Sequence, residues 1–200
     1  MSIRQLILDV ETKTTFDAVG GYFPEKLGIS FIGAIERLGF PEVGEGIETR
    51  YELFEPDLKK LWPIMEQADV LIGFNLDGFD LPAISAYYPG DLKRFPTLDL
   101  LTVVKNQIGH RVSLDALAKQ TLGLQKFGVG LDAIKYYEQG ELEKLARYCM
   151  RDVEITRDLY DHGRRHKTVK FLNHWNNLVE VPVNFNFTPS PTSGTQMSLV

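Results

Sequence analysis

The chain has 200 residues, of which 44% are hydrophobic and 24% charged, which is enough for one soluble globular domain whose core needs neither disulfide nor structural zinc. A net charge of −5 excludes an overall basic footprint, so affinity for nucleic acid has to come from a local patch or from bound cations. The single cysteine, Cys149, excludes an intramolecular disulfide, and the apolar run ahead of Asp9 is too brief for a signal peptide or a membrane span; an intracellular, cytoplasmic protein with no membrane partner is expected.

In chain order, IRQLILDVE reads as a buried first strand, ISFIGAIERL as a second and ETRYELF as a third. The glycine and proline cluster from Phe40 to Gly46 supplies a hairpin-like connection, so the three strands form a meander. Glu55 to Ala68 has helical spacing with Pro56 suited to a first turn, and DVLIGFN is a fully apolar run typical of a strand covered on both faces. From Leu81 onward the pattern is helical: PAISAYY, LDLLTVVKNQI, SLDALAKQTLG capped by Ser113, LDAIKYYEQ ended by Gly140, and a longest helix from about Glu141 to His162. Pairing strands followed by helix and strand alternation predict an α/β fold, a mixed central sheet flanked by helices. The folded domain is expected over 1–180, and VPVNFNFTPSPTSGTQMSLV reads as a disordered tail over 181–200.

Four acids lie in, or at the ends of, segments that should fold inward: Asp9, Glu11, Asp80 and Asp152. A buried ionised carboxylate must be paired, protonated or bound to a cation. Asp9 and Glu11 are two apart on a strand and share a face, where a divalent metal would turn their repulsion into coordination by hard oxygen ligands. On the last helix Tyr148 and Asp152 stand four apart on one inward stripe with Leu145, Ile155 and Leu159, so a phenol and a carboxylate reach the same small volume. The strand DVLIGF delivers Asn75 and then, after an LDG turn, Phe79 and Asp80 to the sheet end, where ligands of open α/β sheets sit. Asp77 beside them reads as a solvated turn residue, and Cys149 as a small core residue.

Read together, DVET, GFNLDGFDLP and YCMRD resemble the three motifs of the DEDD superfamily of 3′ to 5′ exonucleases, in its tyrosine subclass (DEDDy) as found in the proofreading domains of family B DNA polymerases. The resemblance spans residue 5 to about 162 and includes a weaker match through SLDALAKQTLGLQK. It implies a ribonuclease H-like fold, and two divalent cations, Mg²⁺ or Mn²⁺, held by Asp9, Glu11, Asp80 and Asp152. It implies hydrolysis of single-stranded DNA from the 3′ end to 5′ mononucleotides, with Tyr148 orienting the attacking water, in replication or repair. Without a polymerase domain, proofreading in cis is not expected. Thr12, Asn75, Phe79 and Lys126 are candidates for gripping the substrate, Tyr22 and Phe23 for stacking on a single strand, and Lys13 for a phosphate. The basic run of Arg164, Arg165, Lys167 and Lys170 is read as favouring a helix C-terminus ahead of a nucleic-acid contact.

The final QMSLV resembles the short peptide by which bacterial replication and repair proteins bind the sliding clamp, with Gln196, Met197, Leu199 and Val200 as its anchors. Val200 departs from the commoner aromatic ending. RNA as substrate, a ribonuclease H-like endonuclease or junction resolvase, and an inactive nucleic-acid or clamp-binding module stay open as alternatives.

Overall fold

A computed structural model describes residues 2–40, 46–124 and 130–187. The first strand, β1 (Arg4–Thr12), is central because it is apolar on both faces: Ile7 joins one buried cluster while Leu6, Leu8 and Val10 join another. It pairs antiparallel with β2 (Ile29–Leu38), which pairs antiparallel with β3 (Ile47–Phe54), giving the expected meander; its connecting residues 41–45 lie outside the described residues. On its other side β1 pairs parallel with β4 (Val70–Gly73), which pairs parallel with β5 (Thr97–Asp99). The mixed sheet therefore has the order β3-β2-β1-β4-β5.

Helices cover both faces of the sheet. One face receives α1 (Trp62–Gln67) and α2 (Leu81–Ile84), whose Trp62, Met65 and Ile84 pack on Leu6, Leu8 and Leu71. The other receives α6 (Leu142–His166), which buries Leu145, Cys149, Val153 and Leu159 against Ile7, Phe31 and Ile35. Around α6 lie α3 (Leu100–Ile108), α4 (Leu114–Thr121) and α5 (Gly130–Glu138). The Ser113 hydroxyl accepts the Ala116 N–H at the start of α4, and Gly140 takes φ 71° after α5, as their residue types dictate.

Four expectations need correction. The helix expected over 55–68 is a 3₁₀ stretch (Glu55–Lys60) followed by α1, because Pro63 lacks an N–H and restarts the helix in its first turn. PAISAYY is helical only through Ile84. LDLLTVVKNQI opens as β5, since Asp99 ends the strand and caps α3. The chain beyond the long helix forms an antiparallel pair, β6 (Thr168–Leu172) and β7 (Leu178–Pro182), and Val183 and Phe185 are buried, so core packing continues past residue 180. Among the described residues no helix is long and apolar enough to cross a membrane.

Candidate active site

Strand alternation puts Asp9 and Glu11 on the face of β1 that looks at α6. Across β2 the residue opposite Asp9 is Gly33, and a Cβ there would lie 2.9 Å from Met150 Sδ, 3.1 Å from Cys149 Sγ and 3.1 Å from Val153 Cγ2. Glycine at this position lets α6 approach the sheet closely, and that approach carries Tyr148 and Asp152 over the acidic pair. Asp9, Glu11, Thr12, Tyr148 and Asp152 line one open pocket of about 330 Å³, together with Phe79 from the turn, Phe16 and Leu27 from the loop after β1, and Ile134 from α5.

Asp80 lies behind this pocket, only 2% exposed, with Oδ1 accepting the Val10 N–H at 2.9 Å. Its turn, Leu76–Asp80, starts from Asn75 in a left-handed conformation (φ 69°). Asp99 pins that turn: its carboxylate accepts the N–H groups of Asn75 (2.9 Å) and Asp77 (3.3 Å) while also accepting those of Leu101 (3.0 Å) and Thr102 (3.3 Å). Reading 98–108 as a helix hid this residue; the available signal was an aspartate just ahead of an apolar helical run.

Burial and mutual repulsion hold protons in the cluster. Burial raises Asp9 to about 7, opposed by the Cys149 thiol, and raises Asp152 to about 8 with help from Asp9 and Asp115 against Arg151. Burial also lifts Glu11, followed by Asp9, Asp152 and Asp80, and lifts Asp80, helped by Asp9 and opposed by the Val10 N–H. Tyr148 is raised by burial and then by Asp152, Glu11 and Asp9, so its phenol stays protonated. Asp115, on the first turn of α4, is an acid near the cluster that pattern reading missed.

The donor set fits a hard divalent cation. Asp9, Glu11 and Cys149 each offer an atom within 4.8 Å of the others, but the thiol is itself raised by burial and donates to Asp9 Oδ2 at 3.5 Å, leaving carboxylate oxygens as the ligands. A cation there would offset the burial, and for Glu11, Asp80 and Asp152 the repulsion, that raise these carboxyls.

Other candidates fall at varied distances from the pocket. Thr12 is buried and its hydroxyl donates to the Thr14 carbonyl at 3.2 Å. Asn75 does not line the pocket; its side chain lies over Gly78. Tyr22 stacks on Phe16 (centroids 4.5 Å apart) and donates to the Gly78 carbonyl at 2.8 Å, and Phe16 meets Phe79 edge-on at 6.0 Å. This makes an aromatic rim in which Phe16 was not foreseen. Phe23 lies outside that rim, under the Lys26 ammonium. Lys13, expected near phosphate, is ion-paired with Glu55. In the basic run Arg164 and Arg165 fall in the last turn of α6, where Arg164 lies 3.5 Å over the Phe40 ring, while Lys170 stands beyond the helix on β6 and pairs with Glu180 at 3.6 Å. Lys126, Gln196, Met197, Leu199 and Val200 lie outside the described residues.

A mixed five-stranded sheet whose central strand presents an acidic pair to a long helix defines the class: an α/β fold of the ribonuclease H type with a carboxylate pocket at its centre. The chain belongs to the RNase_H superfamily, whose family model matches residues 47–163. That span carries Asp80, Tyr148 and Asp152; Asp9 and Glu11 precede it. The structure is similar to the family B DNA polymerase of the hyperthermophilic archaeon Pyrobaculum calidifontis, with a TM-score of 0.57 and 18% identity over 80% of this chain and 24% of that one. It is also similar to Trypanosoma brucei RNase D, with a TM-score of 0.55 and 16% identity over 80% of this chain and 57% of that one. The chain therefore spans about a quarter of the polymerase and less than two thirds of the RNase D, and at these identities the likeness is one of fold. No curated protein matches the chain.

Proposed function

We propose that this protein is a metal-dependent 3′ to 5′ exonuclease of the DEDD type that removes mononucleotides from single-stranded DNA. The observation that carries the reading is one pocket lined by Asp9, Glu11, Tyr148 and Asp152, with Asp80 buried behind it. Membership of the RNase_H superfamily supports nuclease activity. The fold likeness to a DNA polymerase favours DNA, and the likeness to an RNase D favours RNA as the second reading.

Asp9, Glu11, Asp80 and Asp152 would hold two Mg²⁺ or Mn²⁺ ions. When bound, such ions lower the pKa of water and neutralise charge at a phosphodiester. Tyr148, kept protonated by its acidic neighbours, orients a water by hydrogen bonding rather than removing its proton. The aromatic rim of Phe16, Tyr22 and Phe79 offers a face on which a terminal base stacks. The Val10 N–H, donating to Asp80 Oδ1, would orient that carboxylate for the role.

The test is incubation of 5′-labelled single-stranded DNA and RNA of equal sequence with Mg²⁺, Mn²⁺ or EDTA. Stepwise 3′ shortening of DNA that EDTA abolishes is expected, with circular single-stranded DNA left intact. Opening of the circle would replace the exonuclease with an endonuclease. A sliding clamp is a second proposed partner, resting on QMSLV alone; its test is a pull-down with and without Thr195 to Val200.

A further inference from the structure

Tyr148 lines a second, separate cavity besides the carboxylate pocket. This one, about 590 Å³, runs between α6 and β3, with Met150 and Tyr136 giving it an apolar floor. Lys144, Arg147 and Arg151 are spaced by three and four residues, so they form a cationic stripe beside the stripe that carries Tyr148 and Asp152. With Arg50 from β3 the groove holds four cations against two carboxylates, Glu52 and Glu154. Arg50 and Arg151 both pair with Glu154, at 2.6 and 3.5 Å, and Lys144 pairs with Glu141 at 2.7 Å. Arg147 is exposed and has no ion-pair partner among the described residues.

The surplus is local to this groove. The pocket beside α2 is lined by Asp77 and Asp91 against Lys93, and the one beyond Arg147 by Glu52 and Glu143 against Arg147 alone. In a chain of net charge −5, the groove that opens at Tyr148 is thus the cavity of these three that attracts polyanions. A pocket of about 330 Å³ is of the size that holds a small ligand, so a polymer whose end sits there has to leave it along the surface.

Resting on the exonuclease reading, we infer that the groove between α6 and β3 is the track for the strand upstream of the terminal nucleotide, with Arg147 contacting a backbone phosphate. Being a phosphate contact, it raises affinity without reading sequence.

The experiment compares wild type with Arg147→Ala on two substrates, a single-stranded oligodeoxynucleotide and the p-nitrophenyl ester of thymidine 5′-monophosphate, which has no upstream strand. On the oligonucleotide KM is expected to rise about five- to twenty-fold at unchanged kcat, and the slope of log affinity against log salt to fall by about 0.7, as for one lost contact to a single strand. Hydrolysis of the ester should stay at the wild-type rate. Unchanged oligonucleotide KM and salt slope would overturn the groove, as would equal slowing of both substrates, which places Arg147 in the chemistry or the fold. Anisotropy of labelled oligonucleotide in EDTA separates the two readings. If wild type binds but cleaves neither substrate, the exonuclease reading fails, and equal binding by Arg147→Ala then sinks the groove. If wild type neither cleaves nor binds, both fall.

Discussion

Burial and its neighbours push Asp152 up to about 8 and Asp9 to about 7, so the metal-free pocket holds protons at a pH where an unfolded carboxylate has none. The folded state then binds more protons than the unfolded chain from about pH 4 to about pH 8, and stability falls as pH rises through that window. The metal-free protein should lose melting temperature between pH 5 and pH 8 and regain it at pH 8 with Mg²⁺ or Mn²⁺; a flat profile in scanning calorimetry would contradict the charge cluster. Asp152→Asn should raise metal-free stability at pH 8 by roughly 1–3 kcal/mol while abolishing hydrolysis, because the buried, repelling charge is also a proposed ligand. Asp9 with Glu11 and Tyr148 with Asp152 could be paired from the sequence because period two on a strand and a four-residue step on a helix are local, and Asp80 because it follows a short apolar strand and its turn. For Asp99 only the helix cap was local; its hold on the turn was not, since the N–H groups it accepts there lie 22 to 24 residues earlier.

At the level of elements, the site depends on how near α6 lies to β2. Gly33 leaves no room for a side chain between Met150, Cys149 and Val153, and a branched residue there has to lift the helix. Gly33→Val is expected to cost about 1–3 kcal/mol in denaturant unfolding, as overpacked cores do, and to lower kcat by more than tenfold, because Tyr148 and Asp152 move away from Asp9 and Glu11. Equal activity in that variant would mean that helix and strand tolerate separation. Nothing in ISFIGAIERL marks its glycine as a helix contact; in a strand it reads equally as a bulge. The same short range explains β5, a strand of three residues that ends in its own helix cap. Its apolar spacing continues into α3, and only pairing with β4 separates the two.

For the molecule as a whole, the question is where the cooperative unit ends. The change from aliphatic to Pro, Ser and Asn near residue 180 suggests a boundary by composition, yet the buried side chains continue in alternation through Val181, Val183 and Phe185. Phe185 packs so closely on α6 that a Cβ at Gly163 would overlap its ring, and the Val183 N–H donates to the Lys167 carbonyl at 2.8 Å. Alternation this short, flanked by polar residues, is weak evidence in a sequence, and only the glycine in α6 turns it into a docking groove. Ending the chain after Pro182 removes Val183 and Phe185 and so forfeits about 3–6 kcal/mol of burial, a large share of the 5–15 kcal/mol that holds a typical domain. Ending it after Phe187 removes none of the packed residues described. The first truncation should therefore lower the urea midpoint sharply relative to the second. If both truncations unfold at the same urea concentration, the core stops at β7 and Phe185 is an ornament on its surface.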